Sequence, residues 1–133
     1  ELHDAFAERA YMVQPFMQNV VDEGEFSLFY FNNVYSHTIL KTPKTGDFRV
    51  QEEHGGIIQS VDTEPELLKA GDHAIASLPN LLYARADFVR EGSKFLLMEL
   101  ELIEPALYFR MDPASPMRFA RAFDERMRQS VGV

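Results

Sequence analysis

Phe26-Ser27-Leu28-Phe29-Tyr30-Phe31-Asn32-Asn33-Val34-Tyr35-Ser36-His37-Thr38-Ile39-Leu40 is the stretch on which the architecture turns. Phe26–Phe31 is a run of aromatic and apolar residues, the composition of a strand. Asn32-Asn33 is turn chemistry, because asparagine tolerates the left-handed backbone that a tight hairpin needs. Val34–Leu40 then alternates, so the spacing predicts two antiparallel strands joined at the asparagines.

Downstream, Leu82–Val89 and Phe95–Leu102 predict a second hairpin, with a turn over Arg90–Lys94 around Gly92. Thr63-Glu64-Pro65-Glu66 opens a helix, with Thr63 as N-cap and Pro65 in the first turn, running to about Ser77 before Pro79. Ser115-Pro116 opens a last helix through Arg128, with Phe119, Ala122, Phe123 and Met127 on one face. Upstream, Leu2, Phe6 and Ala10 recur at helical spacing, Tyr11–Phe16 predicts a buried strand stopped by Pro15, and Met17–Gly24 predicts a loop. Lys41 to Gly56 lacks periodicity and predicts a long irregular loop, a kind that tends to be functional. The expected fold class is α+β, an antiparallel sheet with helices packed on one face.

Composition narrows the function. A chain of 133 residues, 46% hydrophobic and 12% aromatic, suffices for one packed domain. The formal net charge of -8, with no cluster of Lys and Arg, argues against a nucleic-acid partner. The absence of Cys excludes disulfides, thiol catalysis and thiolate metal sites. His3, His37, His54 and His73 are scattered, without zinc spacing. No apolar run approaches the length of a membrane span and no signal-peptide pattern is present, so a cytoplasmic protein is expected. The chain starts on Glu1, within a helix already under way, as a piece of a longer protein would.

The chemistry gathers in Glu99-Leu100-Glu101. Alternate side chains of a strand share a face, so the two carboxylates point the same way. For an E-x-E in a strand taken alone, a solvated outer face with Leu96, Met98, Leu100 and Leu102 inside is the ordinary account. The preceding strand places Arg85 and Asp87 on one face by the same rule. With the hairpin in register, Asp87 lies opposite Glu99 and Glu101, and three carboxylates make the hard oxygen site that Mg²⁺ (or Mn²⁺) prefers beside phosphates. In the loop, Lys41 and Arg49 offer positive charge, and Gly55-Gly56 permits close backbone approach. Arg85 either contacts phosphate or neutralises Asp87 and Glu99.

In this order the residues resemble the second half of an ATP-grasp ligase of the glutathione synthetase and D-cycloserine-forming kind, from about Tyr11 to Glu104. Val13-Gln14-Pro15-Phe16 resembles the strand that enters the adenine-binding hinge, and Gly24-Glu25 the pair whose carboxylate meets the ribose. Lys41 before Thr42-Pro43 stands where the family has a phosphate-contacting basic residue. Gly46-Asp47-Phe48-Arg49-Val50-Gln51 with Gly55-Gly56 resembles the phosphate and substrate loop. Asp87, Glu99 and Glu101 match the metal-binding acids. The sequence departs from the family at Ser27, where many relatives carry Arg, at Gln51 for Asn, at Glu101 for Asn, and at Glu104-Pro105 for Ser-Pro.

The resemblance implies the C-terminal part of an ATP-grasp domain over residues 1–133, in an enzyme whose N-terminal domain and first ATP-grasp subdomain lie elsewhere. It implies ATP and Mg²⁺, a small carboxylate substrate activated as an acyl phosphate, and an amine or similar nucleophile. Gln14, Pro15, Phe16, Glu25, Lys41 and Arg85 are the implied nucleotide contacts. Arg49 and Lys41 are the implied catalytic cations; Arg49, Gln51, Gly55 and Gly56 form the implied substrate loop. The isolated chain is expected to be inactive and to self-associate through the exposed hinge. Two rival readings remain at this point: a non-catalytic interaction module, and another Mg²⁺-nucleotide phosphotransferase.

Overall fold

The computed structural model describes residues 6, 10–44, 46, 49–50 and 55–131. The helix expected over residues 2–10 falls largely outside these, as do Asp47, Phe48, Gln51 and His54.

Aromatic runs on either side of Asn32-Asn33 form β1 (Glu25–Phe31) and β2 (Val34–Thr42). Both asparagines adopt positive φ, 49° and 60°, as the turn demands. A short β3 (Ile57–Ser60) pairs with the end of β2. The second hairpin joins β4 (Tyr83–Glu91) to β5 (Lys94–Glu101) through Gly92, and β4 pairs with β1. The result is one antiparallel sheet of order β3-β2-β1-β4-β5.

Three helices accompany the sheet: a single turn α1 (Asn19–Asp22), α2 (Pro65–Ala76) and α3 (Ser115–Val131). Alternation along β1 sends Phe26, Leu28 and Tyr30 to one face, where they pack with Ala84, Ala86 and Phe88 against Leu67 and Ile75 of α2. Gly71 of α2 rests on this layer; a Cβ there would lie 2.6 Å from Leu28 Cδ2. The opposite face carries Glu25, Ser27, Phe29 and Phe31. At its Phe31 end α3 docks through Phe119, whose ring lies 5.3 Å from that of Phe31. Asp112 fixes the start of α3 by accepting from the backbone N–H groups of Ala114 and Ser115 at 2.8 Å each. The expected helix cover is therefore α2 on one face, while α3 seals one end of the other.

Several local expectations are corrected. Residues 10–17 form no strand and lie mostly in solvent, with Met12 88% and Val13 81% exposed. Strand propensity reports the fit to a half-buried pleated surface, and the described residues give this segment no partner strand. The expected loop over Met17–Gly24 contains α1, and the expected loop from Lys41 overlaps the last two residues of β2. The helix start is Glu64, with no side-chain cap from Thr63; the Thr63 hydroxyl instead donates to Thr38 Oγ1 at 2.6 Å. Phe123 and Met127 are about half exposed, so only Phe119 and Ala122 of the expected α3 face are packed.

Arg90 closes the corner between α1, α2 and the second hairpin. Its guanidinium lies over the Phe95 ring at 4.5 Å, donates to Glu23 at 2.9 Å and 3.0 Å, and pairs with Glu64 at 2.5 Å. Its carbonyl accepts from Asn19 Nδ2 at 2.6 Å. Exposed ion pairs contribute little and the stacked cation about 1 kcal/mol. We expect Arg90→Ala to lower the urea-unfolding free energy by about 1–2 kcal/mol, most of it retained in Arg90→Lys only if charge rather than the planar stack matters.

Candidate functional site

The face opposite α2 carries the polar residues, and sheet register brings them together. Asp87 of β4 pairs with Ser27 on one side and Glu99 on the other; Arg85 pairs with Phe29 and Glu101; Glu25 of β1 pairs with Lys41 of β2. Ligand oxygens from Asp87, Glu99 and Glu101 all lie within 4.8 Å of one another.

Two cations are built into this group. Lys41 Nζ lies 2.5 Å from Glu25 Oε1 and donates to Asp87 Oδ2 at 3.0 Å, crossing β1 beside the short Ser27. Arg85 donates through Nε to Asp87 Oδ1 at 3.0 Å and through Nη2 to Asp87 Oδ2 at 3.0 Å; the same Nη2 bonds Glu101. Asp87 is 1% exposed, Lys41 6% and Arg85 8%. Burial of so many charges is expensive, and hydrophobic replacements of such pairs often fold more stably. A chain that keeps them points to work done by the charges.

Their titration follows from burial and neighbours. Burial alone would raise the Asp87 carboxyl, but Lys41 and Arg85 outweigh it and hold it below the usual range. Burial pushes Glu25 up, and the Asp87 charge adds to that, against the pull of Lys41. Glu101 is likewise raised by burial, with Glu99 and Asp87 adding and Arg85 opposing. Burial would depress Lys41, yet Asp87 and Glu25 hold it above its ordinary value. Four carboxylates and two cations leave this group a formal charge of -2, which a divalent cation would neutralise.

The depressed Asp87 sets a pH signature. A group whose folded pKa lies below its unfolded value stabilises the fold above that unfolded value, near 3.9, and loses this as pH falls through the folded pKa. The stability difference between wild type and Asp87→Asn should thus shrink as pH falls below that unfolded value. Glu25 and Glu101, which the Asp87 charge helps to raise, add a pH dependence of their own above it. A difference unchanged down to pH 2 would contradict the buried ion pairing.

The polar group lines a cleft of about 290 Å³ with Glu25, Lys41, Arg85, Glu99 and Glu101, closed by Val50, Ala106 and Tyr108. A second cleft of about 320 Å³ shares Glu25 and Val50 with it. Its wall is mainly apolar and comprises Gln14, Pro15, Phe16, Met17, Val20 and Met98, together with Arg49. Met98 faces this side because β5 shifts register between the Asp87 and Phe88 pairs. Leu96 and Met98 therefore pack with Val20 and Val89, whereas Leu100 and Leu102 stay on the α2 face.

Of the residues singled out in the sequence, Asp87, Glu99, Glu101, Arg85, Lys41 and Glu25 come together in one cleft. Gln14, Pro15, Phe16 and Arg49 line the adjoining one. Gly55 and Gly56 precede β3 and line neither, and Gln51 lies outside the described residues. The sequence did not point to Tyr108, which lines the polar cleft from a left-handed backbone, φ 45°. A bulky residue in that conformation is uncommon, and no periodicity or composition signals it.

Comparison with known proteins relates this antiparallel α+β sheet to the ATP-grasp ligases. The chain is 33% identical over 129 residues to the cycloserine biosynthesis protein DcsG of Streptomyces lavendulae, the match covering 88% of this chain and 42% of DcsG. The crystal structure of the D-cycloserine synthetase DcsG superposes with a TM-score of 0.65 at 29% identity, covering 85% of this chain and 41% of that one. The D-alanine–D-alanine ligase of Bacillus anthracis, solved in complex with ATP, superposes with a TM-score of 0.55 at 17% identity over 80% of this chain and 39% of that one, a likeness of fold. No family model matches. The chain is thus homologous to an ATP-grasp ligase, DcsG, and carries the ATP-grasp fold. It spans about two fifths of the length of these relatives. No helix among the described residues is long and apolar enough to cross a membrane.

Proposed function

We propose that this chain forms the C-terminal part of the ATP-grasp domain of an ATP-dependent ligase, and that its open sheet face holds MgATP. The observation that carries the reading is the convergence of Asp87, Glu99 and Glu101 beside a cleft with an apolar wall. Mg²⁺ binds oxygen at about 2.0–2.1 Å, so opposite ligands stand about 4 Å apart. Oxygens within 4.8 Å of one another reach that spacing through small side-chain shifts. A bound Mg²⁺ would supply charge neutralisation of the nucleotide phosphates.

The chain's own residues divide the remaining work. Met17, Val20 and Met98 with Gln14–Phe16 offer an apolar slot suited to an adenine ring. Glu25 stands between the two clefts and would accept from the ribose hydroxyls. Lys41 and Arg85 would hold phosphate oxygens, and Arg49 would steady the acyl phosphate formed on a small carboxylate. Positioning and electrostatics suffice for such transfer, and no protein nucleophile is needed. An amine or related nucleophile would then displace phosphate. The likeness to DcsG supports an acceptor chemistry of the D-cycloserine synthetase kind. Residues outside this chain would supply the second wall of the nucleotide site, so the isolated chain would not turn over.

The test is an ADP-release screen of the longer parent protein against pairs of carboxylates and amines. A ligase yields ADP, phosphate and an amide-type product. A stable phosphorylated product would make it a phosphotransferase, and absence of nucleotide binding would leave an interaction module.

A further inference from the structure

We propose that Arg85 is a counter-ion gate for the acidic group: its guanidinium holds Asp87 and Glu101 until a polyphosphate draws it away, so that metal entry and anion binding are coupled through one side chain. This rests on the reading of Asp87, Glu99 and Glu101 as a metal site.

The geometry of the three carboxylates is unequal. Arg85 meets both oxygens of Asp87 and also bonds Glu101, so a single fork spans two of the three. Glu99 makes no ion pair among the described residues. A divalent cation that used all three would need oxygens to which the guanidinium now donates. The two positive groups would also stand only a few ångströms apart in a partly desolvated cleft, where like charges repel strongly.

Lys41 cannot act as the gate. It lines the cleft too, but it is the cation paired with Glu25, so its departure would leave that carboxylate bare, whereas Asp87 keeps Lys41 when Arg85 leaves. Arg85 lines the cleft itself, and its planar fork matches phosphate oxygens as well as it matches a carboxylate. It therefore has an equivalent partner to move to when a polyphosphate enters, and a reason to stay until then.

The test is Mn²⁺ binding without nucleotide, read as loss of the free-ion electron paramagnetic resonance signal, on wild type, Arg85→Gln and Arg85→Lys. Removal of a unit charge beside a divalent ion should tighten binding by about tenfold or more in Arg85→Gln. Arg85→Lys keeps the charge but cannot fork between two carboxylates, and should fall between the two; it carries the test if Arg85→Gln does not fold. Affinity in the variants equal to or weaker than wild type overturns the gate. Asp87→Asn read in parallel separates the underlying site: Mn²⁺ bound undiminished by that protein, or by none of the proteins, overturns the metal reading itself.

Discussion

Asp87→Asn should lower turnover of the parent protein in the proposed ligase reaction by about a thousandfold, because it would remove a ligand of the proposed metal site and with it several kcal/mol of charge stabilisation in the transition state. The substitution preserves size but removes the charge and replaces one of two accepting oxygens by an amide NH2 that faces the Arg85 and Lys41 donors. It also has a cost in stability. Asp87 is the carboxylate shared by Lys41 and Arg85, and removal of one partner from a buried pair costs about 3–5 kcal/mol when the other is left bare. Here Glu25 and Glu101 remain to hold the two cations, so we expect a smaller loss, about 2–3 kcal/mol. A variant that folds, loses about that much in urea unfolding and keeps full turnover would remove Asp87 from the chemistry.

Gly24→Ala is expected to be strongly disruptive for a single methyl. Gly24 has φ 115°, a conformation that side chains rarely adopt, and an added Cβ would lie 2.6 Å from the carbonyl oxygen of Lys41. That neighbour is backbone within the β1–β2 ladder and cannot rotate aside. Backbone strain of about 1–2 kcal/mol and steric displacement of about 1–3 kcal/mol should sum to about 3 kcal/mol or more. The collision sits between Glu25 and Lys41, both in the polar cleft, so nucleotide affinity should fall even in preparations that remain folded. Unfolding near wild-type denaturant concentration would show that the corner is looser than its geometry implies.

How far these features were legible in the sequence varies with their physical origin. Both hairpins could be read, because strand-forming runs flank residues suited to turns, Asn32-Asn33 and Gly92. Alternation grouped Arg85 with Asp87 and Glu99 with Glu101 on their own strands, but a hairpin closing on Gly92 without interruption would oppose Asp87 to Met98; the shift between the Asp87 and Phe88 pairs is what opposes Asp87 to Glu99. The register shift in β5 left no trace in composition, and it is what turns Met98 towards the apolar cleft. β3 was missed because Ile57-Ile58-Gln59-Ser60 is four residues long and largely exposed, so it lacks the burial pattern that announces a strand. Tyr11–Phe16 erred in the other direction: its apolar residues look like a strand, yet Tyr11, Met12 and Val13 are exposed and only Pro15 and Phe16 among them line a cleft. The embrace of Lys41 by Glu25 and Asp87 is tertiary, spans three strands, and could not be read from any spacing along the chain. Tyr108 reaches the cleft from an irregular segment, where no periodicity applies.

The account's central claim is tested most directly by anomalous diffraction from crystals of the parent protein grown with Mn²⁺ and a non-hydrolysable ATP analogue. We predict Mn²⁺ within about 2.2 Å of oxygens from Asp87, Glu99 and Glu101, with the base against Met17, Val20 and Met98. An ion bound elsewhere, or a nucleotide seated away from this sheet face, would contradict it.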